Sequence, residues 1–302
     1  MTDKEQKISG STDEFDRNWR ERQEAAYNHW TAGNPVNQVQ LAFRSHSEVF
    51  TELIGPLARR RGQALEVGCG RGSLSSYFAA DGWDVTLLDY SQTVIDTARR
   101  AFATNGHQAE FVTGDANDLP FPDNSFDVTY SIGLLEHFED VRQPIAESLR
   151  VLRPGGWFLG YIVPERPDNL QRYFNWINRI LKLVAQVFRV THNTKPPKAV
   201  IYRSDLDSRR YIEAVAGLEY ENLTVFGMYS LPMLSHSPEF PFSLLPKPVE
   251  WVLTQVFRSV LWMRKVITGR HGWICSEEMG QAFLLAFRKP PTNTNEDFQR
   301  RA

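Results

Sequence analysis

The sequence predicts an α/β protein built around a doubly wound, mostly parallel, seven-stranded sheet. Apolar segments with strand character alternate with helical segments between residues 64 and 163. Such alternation, with short glycine turns between the segments, is typical of a parallel sheet covered on both faces. Helical periodicity without strands comes before this region and recurs after it. The pattern therefore predicts an N-terminal helical cap and helical lid insertions in addition to the sheet.

Residues 1–60 are predicted to form a tail and the helical cap. The first 14 residues are polar and aperiodic, which is typical of disorder. Apolar residues then recur at helical spacing over Phe15–Trp30. A second helical run places Val39, Phe43, His46 and Phe50 on one face.

Residues 61–163 are predicted to contain the core of the sheet. Ser91 is the expected N-cap of one helix, because its hydroxyl can accept a hydrogen bond from the backbone N–H groups of the first turn. Pro154-Gly155-Gly156 is predicted to be a turn, and Asp127 has a structural role at a strand start. The predicted strands are Ala64–Val67, Trp83–Asp89, Glu110–Thr113, Phe126–Ser131 and Trp157–Val163, and the helices are Ser73–Asp81, Ser91–Asn105 and Pro144–Leu152.

Residues 164–289 are predicted to hold the lid insertions and the C-terminal part of the sheet, and 290–302 a loose tail. The helical runs Gln171–Val190 and Pro248–Ile267 are amphipathic and basic. The favoured interpretation is a lid whose apolar face covers the core, and contact with a membrane surface is the less favoured one. The apolar residues assigned to these faces are Phe174, Ile177, Leu181, Val184, Phe188, Leu253, Phe257, Val260 and Leu261. The remaining predicted elements are a helix over Ser204–Ala216 capped by Ser204 and strands over Leu218–Tyr229 and Ala282–Phe287.

Composition favours a soluble globular protein. The chain has 302 residues, is 42% hydrophobic and carries a formal net charge of −2. A near-neutral charge argues against broad nucleic-acid binding, which needs a strong basic field. The N-terminus is too polar for a signal peptide, and no apolar run reaches the roughly 20 residues of a membrane span. Cys69 and Cys275 are not expected to form a disulfide, which suits a reducing cytoplasm.

The segment Leu65–Gly72 is an apolar strand end followed by a glycine-rich turn. Glycines at this place let the backbone approach a ligand where the next helix begins. Dinucleotide sites use a Gly-x-Gly-x-x-Gly spacing. In this chain Gly72 lies one position closer to Gly70, and Glu66 precedes the first glycine. A dinucleotide-dependent oxidoreductase is therefore the least favoured interpretation.

This turn, together with Asp89 at the end of the next strand, resembles motifs I and II of the class I S-adenosylmethionine-dependent methyltransferases. The segments Gly114–Val128 and Leu149–Gly156 are similar to the small-molecule branch of that family. The resemblance covers residues 60–163, about a third of the chain. It implies a Rossmann-like fold and the cofactor S-adenosyl-L-methionine.

The resemblance also implies roles for individual residues in cofactor binding. Glu66 is suited to accept hydrogen bonds from the ammonium of the methionine moiety. Asp89 can accept from both ribose hydroxyls, Tyr90 could pack on the adenine, and Asp115 can accept from the adenine amino group. The expected cofactor-binding residues are Glu66, Gly68, Cys69, Gly70, Gly72, Asp89, Tyr90, Asp115, Ala116, Ser131 and Ile132.

Candidates on the acceptor side are fewer. His137 is the candidate general base, with a packed histidine at a helix start as the alternative. A base is needed only when the acceptor atom must lose a proton. Arg203 could hold a substrate carboxylate, although an ordinary surface arginine is the favoured interpretation. The candidate substrate-binding residues are Tyr27, His29, Trp30, Tyr202, Arg203 and His236; packing is an equal alternative for Tyr27 and Trp30.

These features predict methyl transfer to a small molecule. The aromatic content favours an apolar or cationic acceptor such as a lipid, an isoprenoid, a polyketide or an amine. Two alternatives remain open at this point: methylation of a small zwitterion such as an amino acid, and a non-catalytic cofactor-binding module. No metal is expected, and an apolar helix face could pair in a homodimer.

Overall fold

The structure is a computed structural model that describes residues 29–166, 168–187, 203–234 and 245–291. Several sequence predictions lie outside these ranges and concern the N-terminal tail, most of the first helical run, the C-terminal tail and the residues Tyr27, Phe188, Tyr202 and His236.

A single sheet of eight strands organises the described residues, in the order β3-β2-β1-β4-β5-β8-β6-β7. The first five strands in this order are parallel to one another, and each of the last three is antiparallel to the strand before it in the sheet. The predicted count of seven was one too low, because β7 has only two residues and no period-2 pattern can be read from so short a strand. The strands are β1 Gln63–Val67, β2 Asp84–Asp89, β3 Glu110–Thr113, β4 Phe126–Ile132, β5 Leu152–Ile162, β6 Glu221–Met228, β7 Ile274–Cys275 and β8 Ala282–Arg288.

Helices cover both faces of this sheet, as the doubly wound prediction requires. Helices α1, α3, α4 and α8 pack on one face, and α5 and α7 pack on the other. Residues at the face of α1 predicted from the sequence, such as Val39 and Phe50, are fully buried. The helices are α1 Gln38–Ile54, α2 Pro56–Arg60, α3 Ser75–Ala80, α4 Gln92–Asn105, α5 Arg142–Val151, α6 Asn175–Val187, α7 Ser208–Val215 and α8 Lys247–Thr268.

Two of the predicted structural details can be checked against local contacts. Ser91 caps α4 as predicted, because its side chain accepts from the backbone N–H of Val94. The structural role of Asp127 is also confirmed, since Oδ2 accepts from Arg153 at 2.6 Å and from the backbone N–H of Gln63 at 2.8 Å.

The prediction that Ser204 caps the helix after β5 was wrong. The backbone N–H of Ser204 donates to the carbonyl of Glu136 at 2.8 Å, which holds this residue in an extended connection. Asp207 caps α7 instead, with its side chain accepting from the backbone N–H of Arg209. The helix therefore begins at Ser208, four residues later than predicted.

The lid prediction holds for one of the two basic helices. Phe257 and Leu261 of α8 are buried against the rest of the chain. The predicted face of α6 is only half-buried at Phe174, Ile177 and Leu181, and Val184 on the same face is exposed. Among the helices of the described ranges, none is both long and apolar enough to cross a membrane.

Candidate active site

The glycine turn after β1 forms an open cradle of backbone atoms. Gly68, Gly70 and Gly72 all have positive φ, at 69°, 54° and 65°. A side chain at Gly72 would overlap Leu87 and Phe102, so only glycine lets the turn pack this closely on β2 and α4. The backbone N–H groups of Gly68 and Cys69 donate to the carbonyl of Leu88 at 2.8 and 3.0 Å. The turn is thereby fixed to the end of the neighbouring strand.

Asp89 joins the ends of β1 and β2 at this turn. One carboxylate oxygen accepts from the backbone N–H of Gly70 at 3.2 Å, and the other accepts from the backbone N–H of Ser91 at 3.1 Å. The neighbouring Tyr90 is 64% exposed, so its ring is available to stack on a planar ligand. The pair presents one carboxylate and one aromatic ring beside the glycine cradle.

Glu66 lies below the cradle in a buried polar cluster. Its Oε2 accepts from the Ser75 hydroxyl at 2.5 Å, and this hydroxyl lies 2.6 Å from the Tyr130 hydroxyl. Desolvation by burial raises the pKa of Glu66 to about 8. A cation placed beside it would favour the ionised form, because an opposite charge lowers the pKa of a buried carboxyl group.

The loop after β3 contains the last of the predicted cofactor-binding acids, Asp115. Asp115 is exposed, and its Oδ1 accepts from the backbone N–H and the side-chain amide of Asn117 at 2.9 and 3.0 Å. The next residue, Ala116, is buried. The predicted cofactor-binding residues thus follow the strand order β3, β2, β1 and β4, with Ser131 and Ile132 at the end of β4.

Two N-terminal candidates have different surroundings. Nδ1 of His29 lies 2.6 Å from the hydroxyl of Ser73, directly after the glycine turn. Burial, followed by the charge of Arg71, lowers the pKa of His29 to about 3, so its ring is neutral at physiological pH. Trp30 instead makes an edge contact with His107 at 4.5 Å, beyond the C-terminus of α4. This contact supports the packing interpretation of Trp30.

His137 ends the short 3-10 helix Leu135–His137 that follows β4. Its backbone N–H donates to the carbonyl of Leu134 at 3.0 Å, and the residue is half-buried. This position is near the end of β4, as the sequence indicated, and its role as a base stays a prediction.

A sequence model of a protein family, described as a methyltransferase domain, matches residues 65–160. Over this segment the chain is therefore similar to methyltransferase domains. The matched range begins in β1 and ends in β5, so it includes the glycine cradle and the loop after β4.

Curated relatives are similar over the same part of the chain. The demethylmenaquinone methyltransferase of Clavibacter sepedonicus is 42% identical over 35% of this chain and 42% of its own length. A fatty-acid O-methyltransferase of Mycolicibacterium smegmatis is 41% identical over 32% of this chain and 35% of its own. The phthiotriol/phenolphthiotriol dimycocerosates methyltransferase of Mycobacterium tuberculosis is 40% identical over 32% and 36%. The similarity thus spans less than half the length of each relative.

Solved structures extend the likeness to nearly the whole chain at the level of the fold. A methyltransferase from Thermotoga maritima, described as a possible histamine N-methyltransferase, has a TM-score of 0.52 and 16% identity, covering 91% of this chain and 98% of its own. A second solved structure is described as relating to the conversion of a disulfide bond into a thioacetal group during echinomycin biosynthesis. It has a TM-score of 0.51 and 21% identity, and the match covers 95% of each chain. At these identities the likeness concerns the fold alone.

The matched segment contains a buried acid, Glu136, that was not predicted from the sequence. Glu136 is fully buried, and neither carboxylate oxygen has a well-aligned hydrogen-bond donor among the described residues. Burial raises its pKa to about 7, an effect partly offset by backbone N–H groups and by the charge of Arg203. Arg203 itself is exposed. Glu136 was missed because sequence cannot show burial, although it adjoins the predicted His137.

A second missed group is His46 on α1. Its ring lies 4.4 Å from that of Tyr161 on β5, 5.5 Å from Trp273 and 5.6 Å from Phe43. Tyr229 stacks on Trp273 at 4.5 Å and completes an aromatic wall. Neither ring nitrogen of His46 has a hydrogen-bond partner within the described part of the chain. Burial, then the neighbouring His271, lowers its pKa to about 3. The sequence indicated only that His46 faces the core.

Proposed function

We propose that this protein transfers the methyl group of S-adenosyl-L-methionine to an apolar small molecule. The observation that carries the proposal is the order of groups along the sheet. Asp115 follows β3, Asp89 ends β2, the glycine cradle follows β1, and Ser131 lies in β4. Ligands of open α/β sheets bind at the carboxyl ends of the strands, where the strand order reverses. That reversal lies between β1 and β4.

The residues present fit this cofactor. Asp115 and Tyr90 would hold the adenine, Asp89 the ribose, and Glu66 with the glycine backbone the methionine moiety. When bound, the cofactor supplies a methyl group already activated by a positively charged sulfur. The chain therefore contributes mainly binding and orientation, which are worth on the order of 7–11 kcal/mol in well-oriented reactions.

The acceptor would lie beyond the methionine end, towards β4 and β5. The aromatic wall of Tyr161, Trp273, Tyr229 and Phe43 borders this side and favours an apolar acceptor. Three of the relatives support an apolar acceptor, since they are methyltransferases named for demethylmenaquinone, a fatty acid and phthiotriol/phenolphthiotriol dimycocerosates.

Glu136 joins His137 as a candidate to accept a proton from a hydroxyl acceptor. A general base works best when its pKa is near the working pH, and burial raises the pKa of Glu136 to about 7. Arg203 would then balance the charge of Glu136, which weakens its case as an anchor for a zwitterionic acceptor.

Two experiments test the proposal in sequence. Calorimetric titration with S-adenosylmethionine and S-adenosylhomocysteine should give saturable binding of both. Formation of S-adenosylhomocysteine is then followed with a quinol, a fatty acid and an amino acid as acceptors. Turnover of the amino acid alone would favour the zwitterion alternative, and binding without turnover the non-catalytic one. A folded protein that binds neither nucleoside contradicts the proposal.

The role of Glu136 has its own test. Glu136→Gln should lower kcat for a hydroxyl acceptor by about 100-fold, since general bases contribute roughly 10²–10⁴-fold, and leave cofactor affinity unchanged. Glu139→Gln, at an exposed position three residues later, is the matched control. An unchanged pH profile of kcat in Glu136→Gln would remove it as the base.

We further propose a cytoplasmic location. Cys69 and Cys275 are both free, which is in keeping with a reducing compartment.

A further inference from the structure

Helix α8 is apolar on two opposite faces. Its inner face, with Thr254, Phe257 and Leu261, is buried. A second set of apolar side chains is at least half exposed, and Ile267 is 74% exposed. These residues recur at intervals of three, four or seven and so follow one side of the helix. We call them the outer stripe; they are Val249, Val252, Val256, Met263 and Ile267.

Two exposed tryptophans lie on the side of α8 next to the outer stripe and widen its exposed apolar surface. Trp251 and Trp262 are 51% and 69% exposed. Trp262 lies next to Met263, and Trp251 next to Val252. A helix that is apolar all round is ordinarily buried or in contact with lipid, and tryptophan is enriched where a membrane meets water. The outer side of α8 therefore has the composition of a membrane-contacting surface.

Helix α6 presents a similar side. Trp176, Ile180, Leu183 and Val184 are all exposed and lie at helical spacing. The half-buried residues of the predicted lid face lie on a neighbouring side of the same helix. Both basic helices thus have apolar side chains that remain exposed to solvent and do not pack against the described residues.

The charged residues within these two helices are almost all positive. Helix α6 contains Arg179 and Lys182 and no acid. The acid within α8 is Glu250, which is buried, whereas Lys247 and Lys265 are exposed. Lys265 pairs with Glu52 of α1 at 3.0 Å, and the chain as a whole carries a net charge of −2. An apolar face bordered by lysine and arginine is complementary to an anionic lipid surface.

One cavity lies between α8 and the segment that precedes α6. It has a volume of about 240 Å³, and its lining includes Leu170, just before α6, and Arg264 of α8. Ser230 also lines it and is adjacent in the chain to Tyr229 of the aromatic wall. The cavity therefore reaches from α8 to the residue that adjoins the aromatic wall.

We propose that α6 and the outer stripe of α8 each dock on an anionic phospholipid membrane. A second copy of this chain fits these helix faces less well, because two-fold pairing would bring basic helices against each other and like charges oppose association. The proposal concerns where the protein binds and goes beyond the methyl-transfer activity. It can hold whether or not that activity is found.

The test is sedimentation of the full chain with vesicles. Vesicles of phosphatidylglycerol and phosphatidylcholine in equal parts are compared with phosphatidylcholine alone at about 50 mM salt. Binding is expected to the anionic vesicles and should fall by about tenfold or more when the salt is raised to about 500 mM. An absence of binding to anionic vesicles at low salt overturns the proposal.

Variants assign the binding to these two helices. Trp262→Ser with Ile267→Ser, and Arg179→Glu with Lys182→Glu, should each lower the vesicle partition coefficient by about tenfold or more. The controls are Ile212→Ser, at an exposed apolar position on α7, and Arg59→Glu with Arg60→Glu, at exposed basic positions on α2. Equal loss in the control variants would contradict the assignment to α6 and α8.

Two further measurements distinguish membrane docking from dimerisation and from binding at the cofactor site. Light scattering would reveal a dimer; dimerisation abolished by Trp262→Ser with Ile267→Ser, without vesicle binding, would identify a second copy as the occupant and overturn the proposal. Asp89→Ala, which is designed to impair the cofactor site, should leave vesicle binding unchanged. Failure of the methyl-transfer proposal is thereby distinguished from failure of this one.

Discussion

At the scale of single residues, the Asp89 carboxylate combines an observed structural role with a proposed role in cofactor binding. It already accepts backbone hydrogen bonds from Gly70 and Ser91. A carboxylate with two oxygens has about four acceptor positions, so both bonds are compatible with further donors such as ribose hydroxyls. The residue can therefore order the glycine turn and bind a ligand at once.

Replacing Asp89 should weaken cofactor binding more than it weakens the fold. We expect Asp89→Ala to raise the Kd for S-adenosylmethionine by about 10- to 100-fold, because hydrogen bonds to charged groups contribute roughly 1.5–3 kcal/mol. Calorimetric titration measures this. Asp96→Ala, on the exposed side of α4, is the control and should bind normally. An unchanged Kd in Asp89→Ala would disprove the ribose assignment.

Gly72 gives a prediction about stability. Gly72→Ala should lower the free energy of unfolding by about 2–4 kcal/mol, since the new methyl group meets Leu87 and Phe102 and φ is positive. Gly106→Ala is the matched control: φ is 72° there, but the space is open, so only the backbone penalty of about 1 kcal/mol applies. Urea denaturation of both variants separates the overlap from the backbone strain. Equal losses would show that no overlap exists.

At the scale of elements, helix starts depend on contacts that sequence only partly specifies. Ser91 and Ser204 look alike as caps, each standing before a helical run. Ser91 caps its helix, whereas the backbone of Ser204 is engaged by Glu136, which is distant in sequence. The choice between Ser204 and Asp207 was thus made by a tertiary contact.

The cap of α7 can be tested directly. Asp207→Ala should destabilise the protein by about 1 kcal/mol, the usual effect of losing a side-chain cap. Asp205→Ala, at an exposed position two residues earlier, should change the free energy of unfolding by less than about 0.5 kcal/mol. Thermal or urea unfolding of the two variants provides the comparison. The opposite ranking would mean that Asp207 does not cap the helix.

At the scale of the whole molecule, four buried groups with large pKa shifts contribute to the dependence of stability on pH. His29 and His46 have pKa values lowered to about 3, so between pH 3 and 6.5 the unfolded chain binds more protons than the folded one. Stability from these histidines is lost as pH falls through that window. Glu66 and Glu136 have pKa values raised to about 8 and 7, so above pH 4.5 the folded chain binds more protons. Their contribution falls as pH rises.

Together these groups predict a stability maximum on the acid side of neutrality. Between about pH 4.5 and 6.5 the two effects oppose each other, and above 6.5 the glutamates alone lower the stability until about pH 8. Glu66→Gln should therefore gain stability over the unmodified, cofactor-free protein as pH rises from about 4.5 to 8, by up to several kcal/mol. Glu213→Gln, at an exposed position on α7, should show no such gain. A gain that does not depend on pH would contradict the burial of a protonated Glu66.

Local sequence patterns were sufficient to predict the fold class and to suggest a cofactor site at one edge of the sheet. Strand and helix alternation, the spacing of Gly68, Gly70 and Gly72, and the acids after successive strands are all local patterns. In a parallel sheet the strand ends gather at one edge, so these patterns were enough to predict that the groups meet there.

The burial of Glu136 and His46 and the exposure of the outer stripe depend instead on contacts between segments that are distant in the chain. Glu136 and His46 acquire their shifted pKa values because residues distant in sequence exclude water from them. Both the inner face and the outer stripe of α8 are apolar in the sequence. They differ only because the inner face packs on the rest of the chain and the outer stripe does not. Burial depends on contacts between distant segments, and a pattern of residue types along the chain does not specify them.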